Sequence, residues 1–225
     1  MALVSFKDLC IDAEDPIVLG AFWASVLGLR GEDLDDGDMT LTGQDKAQTI
    51  WINHVPEAKS VKHRVHLDLV AGSVDDIPAA SRLSGPGEFP WTVVTDPEGG
   101  EFCIFETEEV PTYRLKDIVV DAVDPASAAQ WWADVMGGKV VHDDGYSYLD
   151  EIPGVPFGDM DFVPVPEPKT VKNRIHWDVT LHGVAIIDDL VDNGAVLLRA
   201  QDDEIDWTVM ADPEGNEFCV FAAGE

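Results

Sequence analysis

Apolar and polar residues alternate from Val4 to Ile11, the period-2 pattern of a half-buried strand. Phe6, Asp8 and Cys10 are expected on one face, Leu9 and Ile11 on the other. At Asp15-Pro16 the period lengthens to that of a helix. Asp15 suits the N-cap and Pro16 the first helical position. Leu19, Phe22, Trp23, Val26 and Leu27 form the apolar stripe, and Gly28 is a fitting stop. The same sentence recurs later as Leu115 to Val120, Asp124-Pro125, Trp131, Trp132, Val135 and Gly137. Met39 to Leu41 and Thr49 to Asn53 read as short strands around the turn Thr42 to Lys46. Ser73 to Leu83 reads as a second helix, with Ser73 as its cap. Trp91 to Thr95 and Glu101 to Glu106 are strands joined by Asp96-Pro97-Glu98-Gly99-Gly100, a turn by its chemistry. Trp207 to Met210 and Glu217 to Phe221 repeat that hairpin around Asp212-Pro213-Glu214-Gly215-Asn216.

The strongest internal repeat joins Pro56 to Leu69 with Pro166 to Val179. Both follow Pro-Glu-x-Lys-x-Val-Lys-x-Arg-x-His-x-Asp. Several shared positions are polar, so the chain reads as a tandem duplication. The expected domains are residues 1–108 and 113–225, joined by Glu108 to Thr112. Within each, strand–helix–strands occurs twice, which predicts an α+β fold of paired βαβββ modules with mostly antiparallel hairpins. A doubly wound parallel sheet would need helices between nearly all strands. On the strand closing each repeat, Val65, Leu67 and Leu69 point one way and Arg64, His66 and Asp68 the other; Arg174, His176 and Asp178 repeat the triplet. That polar face is either an ion-pair network, with Arg64 beside Asp68, or a pocket wall presenting His66 and His176.

Composition narrows the partners. With 44 Asp and Glu against 14 Lys and Arg, the formal charge is -30. Such a surface repels nucleic acid and anionic membranes and favours a cationic small molecule. The apolar runs are too short for a membrane helix, and the start lacks a signal-peptide pattern, which makes the cytoplasm the expected compartment. Three cysteines, Cys10, Cys103 and Cys219, make a poor disulfide framework. Cys103 and Cys219 occupy equivalent positions of the two repeats.

The two hairpins, Asp96 to Phe105 and Asp212 to Phe221, resemble the closing hairpin of the vicinal oxygen chelate superfamily, which holds glyoxalase I, bleomycin-resistance proteins and extradiol dioxygenases. The Asp-Pro helix start and the Lys-x-Arg-x-His-x-Asp strand are similar to its glyoxalase-like branch. The resemblance covers nearly the whole chain and implies βαβββ pairs curled into cups. Its metal-ligand positions fall on Asp8 and Asp117, on or near Trp51 and Asp161, on His66 and His176, and on Cys103 and Cys219. Asp117, Asp161, His176 and Cys219 are then expected to share a C-terminal cup able to hold Zn, Ni, Mn or Fe, while Trp51 breaks the set Asp8, His66 and Cys103. Asp8 and Asp117 could equally pair with Arg64 and Arg174.

Three readings follow. The first is a binding protein akin to bleomycin-resistance proteins, holding a small, cationic organic ligand. Its cup residues would come from Trp51, His66, Cys103, Asp161, His176, Trp177 and Cys219, with Trp91 and Trp207 near the strand ends. The second is a divalent-metal-dependent lyase, isomerase or dioxygenase, with Asp161 or Asp178 moving the proton. The third is a metal-free enzyme with His66 or His176 as general base. One working cup, the C-terminal one, and one scaffolding cup are expected. The duplicated chain would be its own pseudo-dimer or form a homodimer.

Overall fold

A computed structural model describes residues 2–77 and 80–224. The first module is β1 (Val4–Ala13), α1 (Pro16–Leu27), β2 (Arg30–Asp33), β3 (Met39–Thr42) and β4 (Ile50–His54). The second is β5 (Val65–Ala71), β6 (Ser81–Arg82), β7 (Thr92–Thr95) and β8 (Glu101–Glu106). The third is β9 (Leu115–Ala122), α2 (Pro125–Met136), β10 (Lys139–Asp143), β11 (Tyr146–Asp150) and β12 (Met160–Pro164). The fourth is β13 (Ile175–Leu181), α3 (Ile187–Asp192), β14 (Val196–Arg199), β15 (Thr208–Ala211) and β16 (Glu217–Phe221).

The helix starts follow the sequence signals. Asp15 and Asp124 accept from the backbone N–H groups of Val18 and Ser127, and a proline follows each cap. Gly28 ends α1 at φ 74°, a left-handed conformation that suits glycine. The expected helix from Ser73 to Leu83 does not form as such. Ser73 caps a single 3-10 turn, Val74–Asp76, and Ile77 is extended at φ -90°, ψ 107°. A proline at 78 disfavours helix at Ile77; Pro78 and Ala79 themselves lie outside the described residues.

Two eight-stranded sheets result, and each takes one module from each repeat. The terminal sheet has the order β14-β15-β16-β13-β1-β4-β3-β2, and the medial sheet β10-β11-β12-β9-β5-β8-β7-β6. The central seams are antiparallel, β1 with β13 and β5 with β9. The only parallel pairs among the described strands join β1 with β4, β13 with β16, β12 with β9 and β5 with β8. Each cup is therefore shared by the two repeats, not enclosed by one.

The repeated motif explains itself at this seam. Arg64 donates to the carbonyls of Glu167 and Asp121, and Arg174 to those of Glu57 and Asp12. Lys62 pairs with Asp121 at 2.5 Å, and Lys172 with Asp12. These bonds join one repeat to the other, so Lys62, Arg64, Lys172 and Arg174 are fasteners, while Lys59 and Lys169 pair with Glu101 and Glu217 of their own repeats. The fasteners line a cavity of about 500 Å³ in which Lys59, Lys62, Lys172 and Arg174 are paired with carboxylates and Arg64 is bonded to carbonyls.

The core lies between the sheets. Trp23 of α1 packs on Phe102 of the medial sheet at 5.0 Å. Trp132 of α2 meets Trp177 at 4.8 Å and Phe218 at 5.1 Å on the terminal sheet. Trp23, Trp132 and Trp177 are fully buried. The faces bearing His66 and His176 turn away from this core and form the two cups.

A repeat expressed alone leaves β1 and β5 without their seam partners. Residues 1–112 should therefore dimerise, β1 of one copy pairing with β5 of the other, as size-exclusion chromatography with light scattering would show. A well-folded monomer would contradict the observed topology.

Candidate functional site

The medial cup gathers its polar groups from four neighbouring strands. His66 and Asp68 project from β5, Cys103 from β8, Asp117 from β9 and Asp161 from β12. Register places them together: Asp68 is opposite both Cys103 and Asp117, and His66 is opposite Val119, which in turn is opposite Asp161. A bulge at Lys116 resets the alternation, so Leu115 enters the core and Asp117 the cup. The equivalent bulge at Lys7 sends Phe6 to the core face, separating it from Asp8. A strict period-2 reading had put Phe6 beside Asp8; an extra residue in the strand reverses the parity.

Ligating atoms of His66, Asp68 and Cys103 lie within 4.8 Å of one another, as do those of Asp68, Asp117 and Asp161. Asp68 is 6% exposed, and its Oδ1 has no hydrogen-bond partner. His66 Nε2 stands 3.7 Å from that oxygen. Burial, with the Asp117 and Asp161 charges, raises the Asp68 carboxyl to about 7 against a weaker opposing hydrogen bond from Cys103. Burial and Asp117 raise Asp161 to about 7 as well. Burial and the nearby Lys62 lower His66 to about 4, so its ring is neutral at pH 7. Burial and Asp68 push the Cys103 thiol up. Lys116 contacts Asp117 and lies 4.7 Å from the centre of the Phe105 ring.

Above these groups lies a cavity of about 970 Å³. Phe89 stacks on Trp91 with ring centres 5.5 Å apart and planes 6° from parallel. Trp91 leans on Phe105 at 5.5 Å. Leu83, Val93, Val163 and Tyr146 complete a mainly apolar wall.

The terminal cup has the same frame and different contents. Its matching positions are Asp8, Trp51, His176 and Cys219. Trp51 stands in the register place of Asp161, and its Nε1 donates to Asp8 Oδ2 at 3.2 Å. Trp207 and Phe221 repeat the aromatic pair at 5.7 Å, and Lys7 sits 4.1 Å from the Phe221 ring centre.

Several expectations are corrected. Asp117 and Asp161 belong to the medial cup with His66 and Cys103, whereas His176 and Cys219 face Asp8 and Trp51 in the terminal cup. The unbroken set is therefore in the medial cup, because modules pair across repeats. Trp177 is not a cup residue: it replaces Leu67 on the core face and packs on Trp132. Asp8 and Asp117 contact Lys7 and Lys116, while Arg64 and Arg174 are spent on the seam. Sequence reasoning missed Phe105 and Lys116 as cup residues. Phe105 lies two residues beyond Cys103, so period 2 could have placed it there; the bulge at Lys116 left no comparable signal.

Residues 8–105 and 117–221 each match the family described as "Glyoxalase-like domain". The chain belongs to that family, as a tandem pair within the vicinal oxygen chelate superfamily. A glyoxalase I variant from Zea mays is similar in structure, with a TM-score of 0.69 and 13% identity over 97% of this chain and 94% of that one. A protein titled a putative dioxygenase from Bacillus subtilis gives 0.62 and 13% over 100% and 86%. The cppA protein of Streptococcus pneumoniae gives 0.53 and 13% over 99% of each chain. At this identity the likeness is one of fold. No curated protein matches the chain by sequence. Among the described residues, no helix is long and apolar enough to cross a membrane.

The raised carboxyls carry a stability consequence. The folded protein keeps Asp161 protonated up to about pH 7, whereas an unfolded Asp ionises near pH 4. Its favourable share is thus full below about pH 4 and is lost as pH rises through about 7. His66, lowered to about 4, contributes in the opposite sense: its share is present above about pH 6.5 and lost on acidification towards 4. Asp161→Asn removes the first effect, together with the push of the Asp161 charge on Asp68, and leaves the His66 effect in place. It should raise Tm relative to the parent more at pH 8 than at pH 5 by calorimetry; an equal shift at both would refute the assignment.

Proposed function

We propose that the medial cup binds a small organic molecule with an apolar, preferably aromatic body and a cationic group. The observation that carries this reading is one cavity with two unlike walls. Phe89, Trp91 and Phe105 supply broad apolar surface, and Asp68, Asp117 and Asp161 supply carboxylates on the sheet below. An aromatic wall gains from contact with a flat ligand and from cation–π attraction. A buried carboxylate oxygen without a partner, Asp68 Oδ1, calls for a donor from the guest. The acidic charge of the whole chain, -30, attracts cations to the mouth. The terminal cup suits such a guest less, since Trp51 takes the place of Asp161 and engages Asp8.

A second reading rests on the same donors. Two triads that share Asp68, one with His66 and Cys103 and the other with Asp117 and Asp161, each bring their donor atoms within 4.8 Å of one another, close enough to hold a divalent cation. Such an ion would polarise an oxygen of the bound molecule as a Lewis acid. The protein's own part would then be to orient that molecule against Trp91 and Phe105.

The test is a panel of basic aromatic compounds with neutral congeners, followed by thermal shift and tryptophan fluorescence, with and without chelator. The cationic members should bind selectively and more tightly at pH 8 than at pH 6, because Asp68 and Asp161 lose their protons across that range. Trp91→Ala should weaken binding about tenfold or more, equivalent to about 1.4 kcal/mol. Equal affinity for neutral congeners would remove the cationic reading. Binding that vanishes with chelator and returns with metal would favour the second.

A further inference from the structure

Each cup already contains a cation of its own. In the medial cup the Lys116 ammonium contacts the Asp117 carboxylate and lies 4.7 Å from the centre of the Phe105 ring. In the terminal cup the Lys7 ammonium stands 2.7 Å from Asp8 Oδ2 and 4.1 Å from the centre of the Phe221 ring. Lysine, carboxylate and ring hold equivalent places in the two sheets, so this corner is a repeated feature of the frame. The strand bulge builds it. Regular alternation sends neighbouring residues to opposite faces. The extra residue at Lys7 and at Lys116 lets each lysine reach the aspartate that follows it.

A carboxylate beside an aromatic face is also what a guest's cationic group needs. In the medial cup Lys116 fills that place. Burial opposes its charge, but Asp117, with Asp68 and Asp161 beyond it, outweighs burial and raises the Lys116 pKa, so the ammonium is charged at pH 7. The two lysines differ in how they are held. The Lys7 side chain is 18% exposed, and its carboxylate partner also accepts from Trp51. The Lys116 side chain is 39% exposed and lines the large medial cavity, with water in reach of its ammonium.

We propose that Lys116 is the resident cation of the medial cup: a guest's cationic group enters by displacing it from Asp117 and Phe105, and this competition sets which cations the cup accepts. The proposal rests on the medial cup being the site of a cationic ligand. A tethered group competes at an effective concentration on the order of millimolar. A guest ending in a primary ammonium exchanges like for like against that competitor and gains little. A guanidinium or a quaternary ammonium is more weakly hydrated and lays more surface on the ring, so it gains where the primary amine does not. The ligand class thereby narrows to aromatic compounds with a delocalised or fully alkylated cation. The displaced ammonium passes to water at the mouth, so the corner keeps its charge balance and no proton moves. The more enclosed Lys7 makes the same exchange costlier in the terminal cup.

Four probes test this. They share a naphthylmethyl body and end in a primary ammonium, a guanidinium, a trimethylammonium or a neutral hydroxyl. Affinities are measured by calorimetry at pH 8 on the full chain, on Lys116→Met and on Lys62→Met. In the parent, the guanidinium and trimethylammonium probes should bind about tenfold tighter than the primary ammonium. Lys116→Met should tighten the primary ammonium most, by about tenfold, and so bring the three cations together. Lys62→Met removes the same charge from the cavity wall, where it pairs with Asp121 away from the corner, and should keep the parent's order. Three cations that bind the parent alike would overturn the proposal and leave the cationic cup standing, and this comparison needs no variant. A Lys116→Met protein that weakens the cations or keeps their order would do the same, as would a Lys62→Met protein that narrows the order equally. No preference for any cation over the hydroxyl probe, in the parent and in Lys116→Met alike, would overturn the cup reading and the proposal together.

Discussion

Antiparallel pairing of β1 with β13 and of β5 with β9 is the constraint on which the molecule depends. Each module is a half-cup with an open central edge. Its unpaired N–H and C=O groups are satisfied only by a second module. Here the partner always comes from the other repeat. The basic residues of the repeated motif then lock the seam: Arg64 and Arg174 bond carbonyls across it, and Lys62 and Lys172 pair with Asp121 and Asp12. The duplicated chain thereby does within one polypeptide what two chains of a symmetric dimer would do.

Cross-pairing also decides the chemistry. It collects Asp117, Asp161, His66 and Cys103 around one cavity and leaves Asp8, Trp51, His176 and Cys219 around the other. A single exchange, Trp51 for Asp161, ties up the neighbouring carboxylate in an indole hydrogen bond. A second, Cys10 for Val119, adds a thiol to the same cup. Two cups on one frame have thus acquired unlike donor sets. The medial one combines proton-holding carboxyls near pH 7 with an aromatic wall, a combination suited to an organic guest.

Local chemistry was the most legible part of the sequence. Asp15-Pro16 and Asp124-Pro125 start helices where caps require, and the Asp-Pro-Glu-Gly turns close the last hairpin of each repeat. The residue types of the site could be named because strand alternation around His66 and His176 is clean. What could not be read was which half-cup meets which. The strand pattern of β1 suits β5 as well as β13, so alternation alone does not choose between them; the observed partner is β13. Nor did alternation announce the bulges at Lys7 and Lys116, where one extra residue reverses the facing of all that precedes it. Trp177 was misplaced for a related reason: an aromatic beside a site histidine is on the opposite face of a strand.

The claim that the medial cup is the ligand site can be tested most directly on the seven tryptophan indole N–H signals of the ¹⁵N-labelled protein. A basic aromatic ligand should move the signal of Trp91, which lines the medial cavity, and leave those of Trp51 and Trp207 in the terminal cup in place. Movement of Trp51 and Trp207 with Trp91 unchanged would contradict the account.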